Sequence, residues 1–150
     1  MQPVNSKPKI GQKQTLLLLA VAGALLIGAL VWRIVLEKNS LSSRIVRELA
    51  AHGLTVEAAD LYQHEHRQGT TVAEMMADTD LMPAIEASRA AGFPSDVSRA
   101  GEVYCLLAGL ADGTVLTVFV VDEEIELAFL QLPGEENVLP VNAGAEADNG

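Results

Sequence analysis

His64-Glu65-His66 is the one place in the chain where histidines cluster, with His52 the only other. Two imidazoles two residues apart share a metal ion only from an extended backbone; on a helix, positions i and i+2 point roughly 160–200° apart. The segment reads as helix, and no third ligand is evident, so the pattern predicts a solvent-facing helix rather than a metal centre. Asp122-Glu123-Glu124 is the densest acidic run. Consecutive acids lack the alternating ligand spacing of a calcium loop, so this run reads as a solvated turn that also blunts edge pairing.

Cys105 is the only cysteine. It excludes an intramolecular disulfide and a cysteine metal cluster. It lies mid-strand between Tyr104 and Leu106, in acidic and apolar surroundings, whereas a reactive thiolate needs an electropositive, accessible setting. Packing is the expected role. Ser95 and Ser98 lie in a loop, and the chain has no GxSxG, no Gly-rich phosphate loop and no CxxCH. No catalytic, cofactor-binding or metal-ligating residue is therefore expected, and the chain reads as a non-enzyme without a cofactor.

What must be positioned is a surface, and charge narrows its partners. The net charge is -10, and no Lys or Arg follows Arg99. Half of the 20 acids lie beyond that point, leaving the first 99 residues neutral. An acidic field over the folded part argues against nucleic acid and against an anionic lipid surface.

Residues 15–36 form an apolar run, TLLLLAVAGALLIGALV followed by Trp32, Arg33, Ile34, Val35 and Leu36. About 20 apolar residues span a bilayer core, and Trp and Arg suit the interface. A domain this small cannot bury a helix that is apolar all round. Ala20-Val21-Ala22 matches a signal-peptidase pattern, but only Thr15–Leu19 would precede it, so an uncleaved signal-anchor is expected. Lys7, Lys9 and Lys13, with no acid before the span, predict a cytoplasmic N-terminus and an extracytoplasmic C-terminal domain; Arg33, Lys38, Arg44 and Arg47 on the far side weaken the contrast. Ala20, Ala24 and Gly28 form a small-residue stripe suited to helix packing.

The organisation read from the pattern is a disordered basic tail over 1–14, the anchor over 15–36, a connector over 37–40, a small α+β domain over 41–134 and a disordered acidic tail over 135–150. With roughly 95 residues, the domain buries only about 60–65% of its unfolded surface. Its first helix is expected over Leu41–His52, stopped by Gly53, and a second runs from Thr55 to about Arg67. Thr71 and Glu74 form a capping-box pair that opens a third. Asp78-Thr79-Asp80 caps a fourth, with Pro83 in its first turn and Ala84, Ala87 and Ala91 on one face. A three-stranded antiparallel meander follows, over Val103–Leu110, Val115–Val121 and Ile125–Leu132, with Asp112-Gly113 and the acidic run as its turns.

Both faces of that meander are apolar. Val103, Cys105, Leu107, Phe119, Ile125, Leu127 and Phe129 fall on one; Leu106, Leu116, Val118, Val120 and Leu130 fall on the other. A half-solvated sheet alternates apolar with polar residues, so the second face is covered by the domain's own helices or by a partner. The leading expectation is a membrane-anchored interaction module, an accessory or assembly subunit. It would meet other membrane proteins, or itself, through the anchor stripe and the face of Leu106, Leu116, Val118, Val120 and Leu130. The alternative is a tethered small-ligand-binding or sensor domain, with a pocket lined by Met75, Met76, Phe93 or Phe119.

Overall fold

The computed structural model describes residues 11–38 and 40–143. The expected basic tail lies mostly outside these, as does the end of the acidic tail. The chain divides into two units, one up to Ser40 and one from Leu41.

The first unit is α1 (Gln12–Lys38), 27 residues of continuous helix. At 1.5 Å per residue it is about 40 Å long, enough to cross a hydrocarbon core of about 30 Å. None of its apolar residues is buried. Glu37 and Lys38, expected in a connector, continue this helix.

The second unit is an α+β domain built on one antiparallel sheet of five strands in the order β1 (Tyr62–Thr70), β2 (Gly101–Gly109), β3 (Val115–Val121), β4 (Glu124–Gln131) and β5 (Val138–Pro140). The three expected strands are the middle three. The two additions sit at the edges, where sequence signals are weakest.

The β1 segment corrects the helix expected up to Arg67. Its sequence, YQHEHRQGT, has neither apolar alternation nor β-branched enrichment. It is extended because it pairs with β2, and pairing in a tertiary context overrides a weak local preference. Opposite Leu106 and Cys105 stand Gln63 and Glu65, so His64 between them is the extra residue of a bulge. The β5 segment corrects the disordered tail: Val138, Leu139 and Pro140 pair with Gln131, Leu130 and Phe129, and Val141 is buried just beyond.

Helix α2 (Leu41–Ala51) buries Ile45 and Leu49 and ends at Gly53, whose φ of 95° only glycine adopts freely. Between β1 and β2 the chain forms α3 (Val72–Met75) and α4 (Met82–Ala90). The capping box of α3 is complete: Glu74 N–H donates to Thr71 Oγ1 at 3.0 Å, and Thr71 N–H donates to Glu74 Oε2 at 3.1 Å. Asp80 Oδ1 accepts the Met82 N–H at 3.1 Å where α4 begins.

The two sheet faces carry separate cores. On one, Leu106, Leu116, Val118, Val120 and Leu130 pack with Ile45 and Leu49 of α2 and with Val56, Leu61, Phe93 and Val141. These five residues are therefore covered by the domain's own elements, not displayed as a docking face. On the other face, Val103, Cys105, Phe119, Leu127 and Phe129 pack with Val72 and Met75 of α3 and Ala84 and Ala87 of α4. Ile125, expected with this second set, belongs to the α2 side. Phe119 pairs with Leu127 and Val120 with Ile125, so Glu126 is an extra residue that flips the alternation.

The β4 edge is satisfied beyond β5. Ser88 Oγ donates to the Ala128 carbonyl at 3.1 Å and accepts the Ala128 N–H at 3.0 Å, while Ser95 N–H donates to the Glu126 carbonyl at 2.9 Å. The turn after β3 places Asp122 and Glu123 at φ 47° and 71°, the consecutive positive values of a tight hairpin. Asp122 Oδ1 accepts the Glu102 N–H at 2.9 Å. A Cβ on Gly101 would stand 2.5 Å from Asp122 Oδ2, so a larger residue there must displace the carboxylate that accepts the Glu102 N–H.

Candidate functional site

The site is a cavity of about 300 Å³ between the sheet and the α3–α4 segment. Its floor is Cys105 and Leu107 from β2, Thr117 and Phe119 from β3, and Phe129 from β4. Its roof is Met76, Leu81, Pro83 and Ala84 from α3, α4 and the chain between them. Around the mouth stand His64 and Glu65 from the β1 bulge, Thr79, Asp80, Gln131, Glu136 and Val138. The space exists because α3 is a single turn and α4 presents alanines: small side chains leave the aromatic floor only partly filled.

The roof is held from the far side of α3. Glu126 is 1% exposed. Its carboxylate accepts the Arg99 guanidinium at 2.9 Å and the Asp96 N–H at 3.0 Å. This fixes the 94–99 loop, and the Val97 carbonyl in that loop accepts the Ala73 N–H of α3 at 3.0 Å.

Two polar side chains sit on the apolar floor. Thr117 is 9% exposed, and among the described residues its hydroxyl has no hydrogen-bond partner. Burial, with the Glu65 charge adding to it, pushes the Cys105 thiol up to about 11. It is a neutral thiol at physiological pH and no nucleophile.

His64 and His66 do not converge. His64 lines the cavity; His66 lies on the α2 side of the sheet, stacked on Tyr104 with centroids 4.2 Å apart. His66 Nε2 is 2.9 Å from Glu102 Oε1, which also accepts the Tyr104 hydroxyl at 2.9 Å. These bonds, Tyr104 first, hold the Glu102 carboxyl below its usual range. Among the described residues no three His, Cys, Asp or Glu side chains gather as a metal site. The acidic turn is committed to cations: Glu123 to Arg44 at 3.2 Å and Glu124 to Arg99 at 2.5 Å.

Of the four pocket residues read from sequence, Met76 and Phe119 line the cavity. Met75 packs in the same core, and Phe93 lies in the opposite one, stacked on His52 at 4.2 Å. Sequence reasoning missed Thr117, His64 and Glu65. Thr117 carried a signal, as the single polar residue inside VLTVFVV, where a buried strand has no need of one. His64 and Glu65 carried none, since their place depends on a bulge. Ala20, Ala24 and Gly28 are all exposed on α1. Comparison of the chain with known protein families, characterised proteins and solved structures finds no match.

Proposed function

We propose that this chain is a membrane-tethered, non-catalytic domain that binds a small ligand in the cavity between its sheet and α3–α4. The observation that carries this reading is the cavity itself: an apolar floor at the low end of ligand-pocket volumes, with the Thr117 side chain as a polar group on it. The neutral Cys105 thiol gives the site no activated nucleophile, which supports binding over chemistry. In this reading α1 is an uncleaved signal-anchor, and the lysines before it favour a cytoplasmic N-terminus and an extracytoplasmic domain.

The test is a thermal-shift screen of the full chain against small apolar and amphiphilic compounds. A ligand at 100 times its Kd stabilises by about 2.7 kcal/mol, which is readily measured. A Leu107→Trp variant, which fills the cavity, should abolish each shift. Shifts that survive that variant place binding elsewhere and refute the reading.

An interaction role retains one support, the exposed Ala20–Ala24–Gly28 stripe of α1, through which the chain would meet itself or another membrane helix. Stoichiometric co-purification in mild detergent that is lost in Gly28→Leu would favour it.

A further inference from the structure

We infer that the cavity selects a cationic amphiphile: an amine of about ten non-hydrogen atoms with an apolar, hydroxyl-bearing body. This rests on the cavity reading above and adds the charge and polarity of the occupant. Size comes from the volume, about 300 Å³, equal to roughly ten waters at about 30 Å³ each.

Charge comes from the mouth. Glu65, Asp80 and Glu136 line it, and no Lys or Arg is among the lining residues. Arg67 is paired to Glu65, and among the described residues no Lys or Arg pairs with Asp80 or Glu136, which are left as the acids at the mouth without a cationic partner. Asp80 also accepts the Met82 N–H through Oδ1, and a carboxylate oxygen has capacity for a further donor. From Glu102 onward the chain holds acids and no bases, so the wider field has the same sign as the mouth. An anion entering here loses water and meets repulsion; an ammonium meets attraction.

Polarity comes from the floor. Thr117 lines the cavity and among the described residues its hydroxyl has no protein partner, so a ligand hydroxyl seated there makes a hydrogen bond that a purely apolar body cannot. Acidic mouth, apolar wall and a hydroxyl on the floor together match a hydroxylated arylalkylamine better than an acid or a plain hydrocarbon.

Tyramine, 2-phenylethylamine, 2-phenylethanol and 3-phenylpropionate share one skeleton and separate these features. The experiment is calorimetric titration of each into the full chain, held in nanodiscs of zwitterionic phosphatidylcholine so that the lipid adds no charge preference. Tyramine is expected to bind tightest, 2-phenylethylamine severalfold more weakly, 2-phenylethanol at least tenfold more weakly than 2-phenylethylamine, and 3-phenylpropionate undetectably. Asp80→Asn/Glu136→Gln should erase the amine preference while leaving 2-phenylethanol unchanged. Thr117→Val, close in volume, should erase only the advantage of tyramine over 2-phenylethylamine. If the alcohol or acid binds as tightly as the amines, the charge inference is overturned and the cavity reading stands. If none of the four binds, and Leu107→Trp alters no shift in the wider screen, both fall.

Discussion

Replacing Arg99 with Met would show how the roof of the cavity is held. Glu126 has two donors in a setting almost closed to water: the Arg99 guanidinium at 2.9 Å and the Asp96 N–H at 3.0 Å. Arg99→Met leaves the carboxylate with the backbone donor alone. Breaking a buried pair costs about 3–5 kcal/mol, because the remaining charge stays desolvated. Arg99 itself is one-third exposed, so water reaches part of the gap and the loss falls below that range, to about 1–3 kcal/mol. The accompanying loss of the exposed Glu124 contact adds at most about 1 kcal/mol. In a domain with about 5–15 kcal/mol in total, this is a large share. Arg99→Met/Glu126→Gln removes the orphaned charge and keeps an amide oxygen for the Asp96 N–H, so it should recover at least 1 kcal/mol of coupling. Urea unfolding followed by far-ultraviolet circular dichroism is the suitable assay, since the only tryptophan, Trp32, belongs to α1 and not to the α+β domain. The 94–99 loop supports α3 through Val97 and Ala73, so Arg99→Met should also weaken tyramine binding under conditions where the domain is still folded. A loss under 1 kcal/mol, or a double variant no better than the single, would refute the reasoning.

Val118→Lys should unfold the domain at least as severely as Phe119→Ala, which costs about 3–5 kcal/mol, because it buries an unpaired charge in the core that α2 covers; a melting curve of Val118→Lys close to wild type would mean that α2 does not cover that face. Removing residues 135–150 should lower the urea midpoint clearly, since it strips β5 from the β4 edge and uncovers the core around Val141; burial of one such side chain alone contributes about 1.5–3 kcal/mol. An unchanged midpoint would return that segment to the status of a free tail. Stability should fall as pH rises from about 8.5, the ordinary thiol value, towards 11, because the folded state holds Cys105 neutral while the unfolded chain ionises it; by pH 11 the loss is about 2–3 kcal/mol. Comparison with Cys105→Ala isolates the effect, and parallel pH profiles for the two would exclude it.

The middle of the domain was legible because its signals are local. The apolar β-rich runs, the Asp112-Gly113 turn and the Thr71–Glu74 capping box each concern residues a few positions apart, and each stands in the structure where its pattern implies. The edges were not legible, because their conformation is imposed by a neighbour. The YQHEHRQGT segment is strand only by virtue of β2, and Val138–Pro140 only by virtue of β4. The same distinction decides the site. Apolarity on both sheet faces was visible, but which face α2 takes, and which is left partly filled beneath a single-turn α3, depends on side-chain volume and on two bulges. His64 and Glu65 reach the cavity mouth through one bulge, and Glu126 reaches Arg99 through the other. A period-2 reading runs straight through both. One extra residue in each strand therefore does what no motif announces: the first brings an acid to the mouth of an apolar cavity, and the second fastens the loop that holds its roof.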